Sequence, residues 1–203
     1  MLILLMTLAV AARAGLPPPD YRAEVVAAVA HRVEDLADHG DVAEAVDLAE
    51  RFMRVIGPAA PVAYEVALRL NRSGDPQQAM VWYDRAIAAD SQHAPSRYDR
   101  GELHLRAGNL PAAQADFEAA VAERPDAWAV HFRLAELCAH RGDGDGFAHH
   151  LQRALAHGFD FREIGTDPNW RRWANDPLLG PIIARYMTVY SDARLLDALR
   201  GAP

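Results

Sequence analysis

The chain contains no lysine and only one cysteine, Cys138. A single thiol can neither close an intramolecular disulfide nor build a multi-cysteine metal site, so neither device holds the fold together. Long apolar runs are also missing. The longest, Leu2 to Ala12, is well short of the roughly 20 residues a helix needs to cross a bilayer. Clustered positive charge is absent as well: 28 acidic residues outnumber 21 basic ones, all arginine, for a net charge of −7 and a pI near 5.7. Phosphate backbones and anionic lipid surfaces need concentrated cations, so nucleic acid and membrane binding are disfavoured. No H-E-x-x-H, Gly-rich phosphate loop, serine elbow or paired acidic motif occurs. Hence no catalytic residue, metal ligand or cofactor is nominated.

What the chain does have is apolar content. Hydrophobic residues make up 51% of 203, enough for a continuous core rather than a disordered polymer. Arginine in place of lysine, beside abundant alanine, reads as the coding bias of a GC-rich bacterial genome. The apolar run Leu2–Ala12 leads into Ala12-Arg13-Ala14 and then Gly15-Leu16-Pro17-Pro18-Pro19, the layout of a secretory leader with a small-residue cleavage site. Residues 1–14 are therefore expected to be a removable signal peptide, making the mature chain periplasmic or secreted, with residues 15–25 as a linker and the start of the first helix. Only Met1 precedes the run, without lysine or arginine. The alternative is an uncleaved apolar helix on a cytoplasmic protein.

The interior repeats. Gly40, Gly74, Gly108 and Gly142 are each 34 residues apart. Five residues after them stand Ala45, Ala79, Ala113 and Phe147; nine after stand Ala49, Tyr83, Phe117 and Leu151; twelve after stand Phe52, Ala86, Ala120 and Ala154. These offsets trace one buried stripe of a helix. Four before each glycine stand Leu36, Leu70, His104 and Cys138, and seven before stand Val33, Ala67, Gly101 and Ala135, which belong to a partner helix. Asp75-Pro76-Gln77-Gln78 supplies a capping aspartate and a first-turn proline directly after Gly74, and Asp41-Val42-Ala43-Glu44 repeats the capping logic. Each unit is thus expected to be helix, glycine-centred turn, helix.

This 34-residue pattern resembles the tetratricopeptide repeat, most closely at Gly101, Gly108, Ala113, Phe117, Ala120 and Pro125. In that phase four repeats cover residues 26–161 (26–59, 60–93, 94–127 and 128–161). The resemblance implies an all-α, right-handed α-solenoid that binds another protein or peptide. Residues 162–203 resemble the end-of-group segment of some bacterial arrays. Asp167-Pro168 and Asp176-Pro177 begin short helices there; Trp170, Trp173, Leu178, Leu179, Ile182 and Ile183 supply a cover, and Tyr186–Leu199 is read as one more helix. In the family, the first helix of each repeat lines a concave groove. Its fifth positions here carry Tyr64, Tyr98 and Phe132, and its thirteenth carry Arg72, Arg106 and His140, after Asp38 in the first repeat. An aromatic row beside a cationic row suits an extended peptide with apolar anchors and a carboxylate. The family positions that clamp a chaperone's C-terminal carboxylate fall on Tyr64, Leu68, Asp99, Ala129 and Arg133, where only Arg133 matches, so that partner is disfavoured.

Other groupings read as structure. His131, His140, His149, His150 and His157 crowd the fourth repeat, but no two are spaced i, i+4 on one helix. Asp143-Gly144-Asp145-Gly146 begins like a calcium loop, yet Phe147 stands where a third oxygen ligand belongs. Cys138 sits in an otherwise packing column and reads as a small buried hydrophobe. The competing function class is an enzyme, or an enzyme's regulatory subunit, with a site in the histidine-rich repeat and the tryptophan tail. Self-association of the array is a third.

Overall fold

In a computed structural model of the chain, the described residues are 21–164, 167–190 and 193–201; the expected leader lies outside them. Among the described residues every regular element is helical. The chain divides between Ser91 and Gln92 into two compact units.

The first unit holds α1 (Tyr21–Asp38), α2 (Val42–Ile56), α3 (Ala60–Arg72) and α4 (Pro76–Ala89). α1 pairs with α2 and α3 with α4 as antiparallel hairpins, and α1 also packs closely along α3. Most of the stripe read from the repeat is buried: Val33, Ala45, Ala49, Ala67, Ala79, Tyr83 and Ala86 are all at most 1% exposed, while Phe52 is only half-buried. Val62 and Val66 on α3 are equally inaccessible. Burying each of these valines stabilises the hairpin by about 1.5–3 kcal/mol, and each alanine methyl by about 0.8 kcal/mol.

The second unit holds α5 (Ala94–Arg106), α6 (Leu110–Glu123), α7 (Trp128–Arg141) and α8 (Gly144–Ala156), again as two hairpins. A 3-10 turn (Phe161–Ile164), α9 (Pro168–Ala174), α10 (Leu179–Tyr190) and α11 (Ala193–Arg200) follow. α10 packs on α8, and α9 packs on both α10 and α11. The segment Tyr186–Leu199, expected as one helix, is two: α10 ends at Tyr190 and α11 begins at Ala193. Met187 of α10 and Leu199 of α11 both belong to the core of this unit. Leu178 is another departure, because it lies in the turn before α10 and stays 52% exposed, while Leu179 takes the buried place.

All four turn glycines adopt positive φ, between +70° and +94°. Each turn closes the same way: the glycine N–H donates to the carbonyl three residues back, and the next residue's N–H donates to the carbonyl five back, as in Asp41 to Leu36, Asp75 to Leu70, Asn109 to His104 and Asp143 to Cys138. That pattern needs a left-handed residue at its centre, which is why the glycine recurs. The following residue caps the second helix with its side chain at Asp75, Asn109 and Asp143. Asp41 stands at the same place but makes no side-chain cap bond, contrary to the expectation from Asp41-Val42-Ala43-Glu44.

Candidate interaction site in the second unit

The groove positions expected on the first helices behave differently in the two units. In the first, Tyr64 is half-buried with its ring 6.2 Å from that of Tyr83, and Arg72 is exposed. The guanidinium that dominates this unit is instead Arg69, only 8% exposed. It donates to Glu34 (2.7 Å), Asp38 (2.8 Å) and Glu65 (3.5 Å), drawing α1 onto α3. Burial pushes the Glu65 carboxyl up, with Arg69 opposing.

In the second unit α5 and α7 do not pack along each other as α1 and α3 do. The space between them opens as two adjoining clefts. One, about 230 Å³, is walled by the half-buried rings of Tyr98, Trp128 and Phe132 and by Phe159 and Trp170. The other, about 420 Å³, runs past Leu105, Leu110, His140 and Trp173. Arg133, Glu136 and Asp167 border both.

Arg133 is the polar centre. Its guanidinium donates to both carboxylate oxygens of Glu102 (2.5 and 3.1 Å) and to Glu136 (2.7 Å), and lies 5.4 Å from the Phe132 ring centre. Burial alone favours the neutral form of Arg133, but Glu136 and Glu102 outweigh it and raise its pKa. The other oxygen of Glu136 accepts the Trp170 indole N–H at 2.9 Å. Burial pushes the Glu136 carboxyl up, against the pull of Arg133 and Trp170. Asp167 uses one oxygen to accept the Asn169 and Trp170 amides, capping α9. Tyr98, deepened by burial and faced by Glu102, has its phenol pKa raised.

Three of the six expected groove residues therefore meet in one region: Tyr98, Phe132 and His140 line the clefts. Phe132 stacks nearly parallel on Trp170 (5.5 Å, 6°), and His140 sits edge-on to Trp173 (5.1 Å). The terminal helix α9 thus packs over the fourth repeat's aromatic position. Arg106 is exposed, bonded through Nε to the Glu102 carbonyl, and is not a cleft wall. Sequence reasoning missed Glu102, Glu136 and Asp167. Glu102 and Glu136 were detectable as groups about one repeat from an opposite partner, since Glu102–Arg133, Glu34–Arg69, Glu50–Arg85 and Glu136–Trp170 are 31 to 35 residues apart; Asp167 bonds instead to the amides that follow it.

The histidines of the fourth repeat are arranged as a pair. His131 Nε2 faces the Pro125 carbonyl at 3.0 Å, and its Nδ1 lies 3.1 Å from Nδ1 of His150. A carbonyl only accepts, so His131 carries its proton on Nε2 and His150 donates from Nδ1. Burial depresses both, and the neighbouring His131 and His149 help hold His150 at about 4. Among the described residues no group of three or more His, Cys, Asp or Glu side chains is placed to hold a metal ion. Cys138 is buried, and burial pushes its thiol up.

Comparison with known proteins agrees with this geometry. The tetratricopeptide-repeat family model matches residues 98–161, from within α5 through α8. Over these residues the chain is similar to tetratricopeptide-repeat proteins. A co-chaperone of Fusarium oxysporum f. sp. lycopersici with tetratricopeptide repeats and a J domain, DNJ1, is 32% identical over 88 residues, covering 43% of this chain and 17% of its own length. MamA from Desulfovibrio magneticus RS-1, residues 41 to the end, shares the fold at a TM-score of 0.57 and 18% identity, over 88% of this chain and 93% of that one. Pseudomonas aeruginosa pilF shares it at 0.59 and 12%, over 91% and 100%. The fold is that of an interaction scaffold in general. No helix among the described residues is long and apolar enough to cross a membrane.

Proposed function

We propose that this chain is an adaptor that holds an extended segment of another polypeptide against the first helices of its repeats, and that it does so after export, the apolar run Leu2–Ala12 serving as a removable leader. The observation that carries the binding reading is the opening between α5 and α7, where Tyr98, Trp128 and Phe132 leave ring surface accessible around a fixed ionic centre. Aromatic rings beside a charged group form the kind of surface at which binding energy concentrates. A purely structural reading leaves such rings covered.

The test is affinity capture from the native host with wild-type protein and with the double variant Tyr98→Ala, Trp128→Ala, both checked for helix content. One stoichiometric partner retained by wild type and lost by the variant supports the proposal. Equal retention by a folded variant overturns it. Sequencing the mature N-terminus from the same sample decides export: a start near Gly15 supports a cleaved leader, and an intact Met1 end removes it.

A further inference from the structure

We infer that the paired clefts of the second unit select a basic side chain, lysine or arginine, from the bound segment, seating its cation beside Glu136 and Asp167, with Glu102 behind them on Arg133, and its aliphatic stem on the rings of Trp128 and Tyr98. This rests on the scaffold reading and adds the chemistry of the ligand. It also reverses the carboxylate preference expected from the row Arg72, Arg106 and His140.

The argument is one of charge. Within this region a single guanidinium, Arg133, is shared by two carboxylates, and a third, Asp167, borders both clefts with one oxygen committed to capping α9. Negative charge is in excess, and it lies in a partly enclosed space where the interaction is poorly screened. An incoming carboxylate would meet that excess; an incoming cation would offset it. The walls agree, because ring faces attract cations and Arg133 already exploits this over Phe132 at 5.4 Å. The polar centre also fixes position. Glu136 is held by Arg133 on one oxygen and Trp170 on the other, so the carboxylate cannot swing away to water. Burial disfavours its charged form, a condition that a bound cation relieves. Acidic surroundings that steer a partner act mainly through association rate and specificity, so salt should weaken binding.

The test uses a random dodecamer peptide library displayed on phage and selected against the full chain. Enriched peptides with lysine or arginine next to an apolar residue, whose synthetic versions bind about tenfold more weakly to Asp167→Asn and Glu102→Gln, support the inference. Asp167→Asn retains a capping side chain, so folding is preserved while one charge is removed. Enrichment of acidic or free-carboxylate peptides overturns the basic preference but leaves the scaffold reading intact. Enrichment of basic peptides that bind both variants as tightly as wild type overturns the site. Failure to enrich any peptide, or sedimentation showing that a second copy covers the clefts, overturns both.

Discussion

The two units are built from the same hairpin and differ in what stands between their first helices. In the first unit the fifth positions are Ala30 and Tyr64, and α1 closes along α3 over small residues while Arg69 ties the pair with three carboxylates. In the second the fifth positions are Tyr98 and Phe132. Two rings need room, α5 and α7 stay apart, and the guanidinium of Arg133 is left at the edge of a cleft at 29% exposure against 8% for Arg69. The sealed seam pairs an alanine with an aromatic, and the open one pairs two aromatics. The repeat supplies the frame; the residue at the seam decides whether the frame holds anything.

The largest expected break in this comparison is Trp170→Ala. Trp170 is 1% exposed, touches Phe132, Phe147, Phe159, Phe161 and Trp173, and donates to a carboxylate that has few other partners. Truncation leaves a large cavity and an under-satisfied Glu136, at a cost of about 3–5 kcal/mol. Hydrogen exchange should show protection lost in α7 to α11 and kept in α1 to α4. Uniform loss over both units would mean that they do not unfold separately.

Acid should also act on one unit. The His131–His150 pair lies on α7 and α8 of the second unit and is held neutral, with His150 at about 4. Above pH 6.5 both folded and unfolded chains carry neutral imidazoles, and this contribution is complete. As pH falls below 6.5 the unfolded chain takes protons that the folded pair refuses, so stability declines until His150 itself protonates near 4. Discounted for partial solvent access, the loss is on the order of 2 kcal/mol. The urea midpoint of wild type should fall between pH 7 and 4.5, and His150→Gln should flatten that slope. An unchanged slope in the variant would assign the acid sensitivity elsewhere.

A smaller, steric effect is expected at Gly101 on α5. A β-carbon there would come within 2.7 Å of the Phe117 ring, which is fully buried and cannot retreat. Overpacking costs about 1–3 kcal/mol, and alanine's better helix propensity returns up to about 1, so Gly101→Ala should destabilise by about 1–2 kcal/mol in thermal unfolding. A stabilised variant would mean that the α5/α6 hairpin has slack that the structure does not show.

Gly101 also marks how far sequence alone reaches. Its column, with Ala67 and Ala135, was legible because helix crossings need small residues at a fixed interval, and the turn glycines because only a left-handed residue closes that turn. The hairpins follow from such local rules. The clefts do not. Tyr98 and Phe132 were readable as groove residues, but the polar groups beside them, Glu102 and Glu136, find their partners about one repeat away, in Arg133 and in the tail's Trp170. Asp41 shows the opposite failure: a good capping residue in the right place whose side chain makes no cap bond. Likewise the stacking of the tail's Trp170 on Phe132, which leaves Phe132 a cleft wall, follows from no repeat position.

The smallest structural effect is expected from reversing the exposed cations, Arg72→Glu in the first unit and Arg106→Glu in the second. Both side chains are exposed, and substitutions at such sites usually change stability by no more than about 0.5 kcal/mol. Their effect on binding is the sharper measurement. If the ligand carried a carboxylate, each reversal would weaken it. If the ligand is basic, as the charge around Arg133 argues, Arg106→Glu adds a fourth negative charge beside Glu102 and should strengthen binding at low salt, by about two- to threefold, with the gain lost as salt rises. Arg72→Glu, in the other unit, should change the affinity of a peptide that fits the clefts far less. Titration of a labelled basic peptide against both variants at two salt concentrations reads this directly, and weaker binding to Arg106→Glu would return the cationic row to the ligand site.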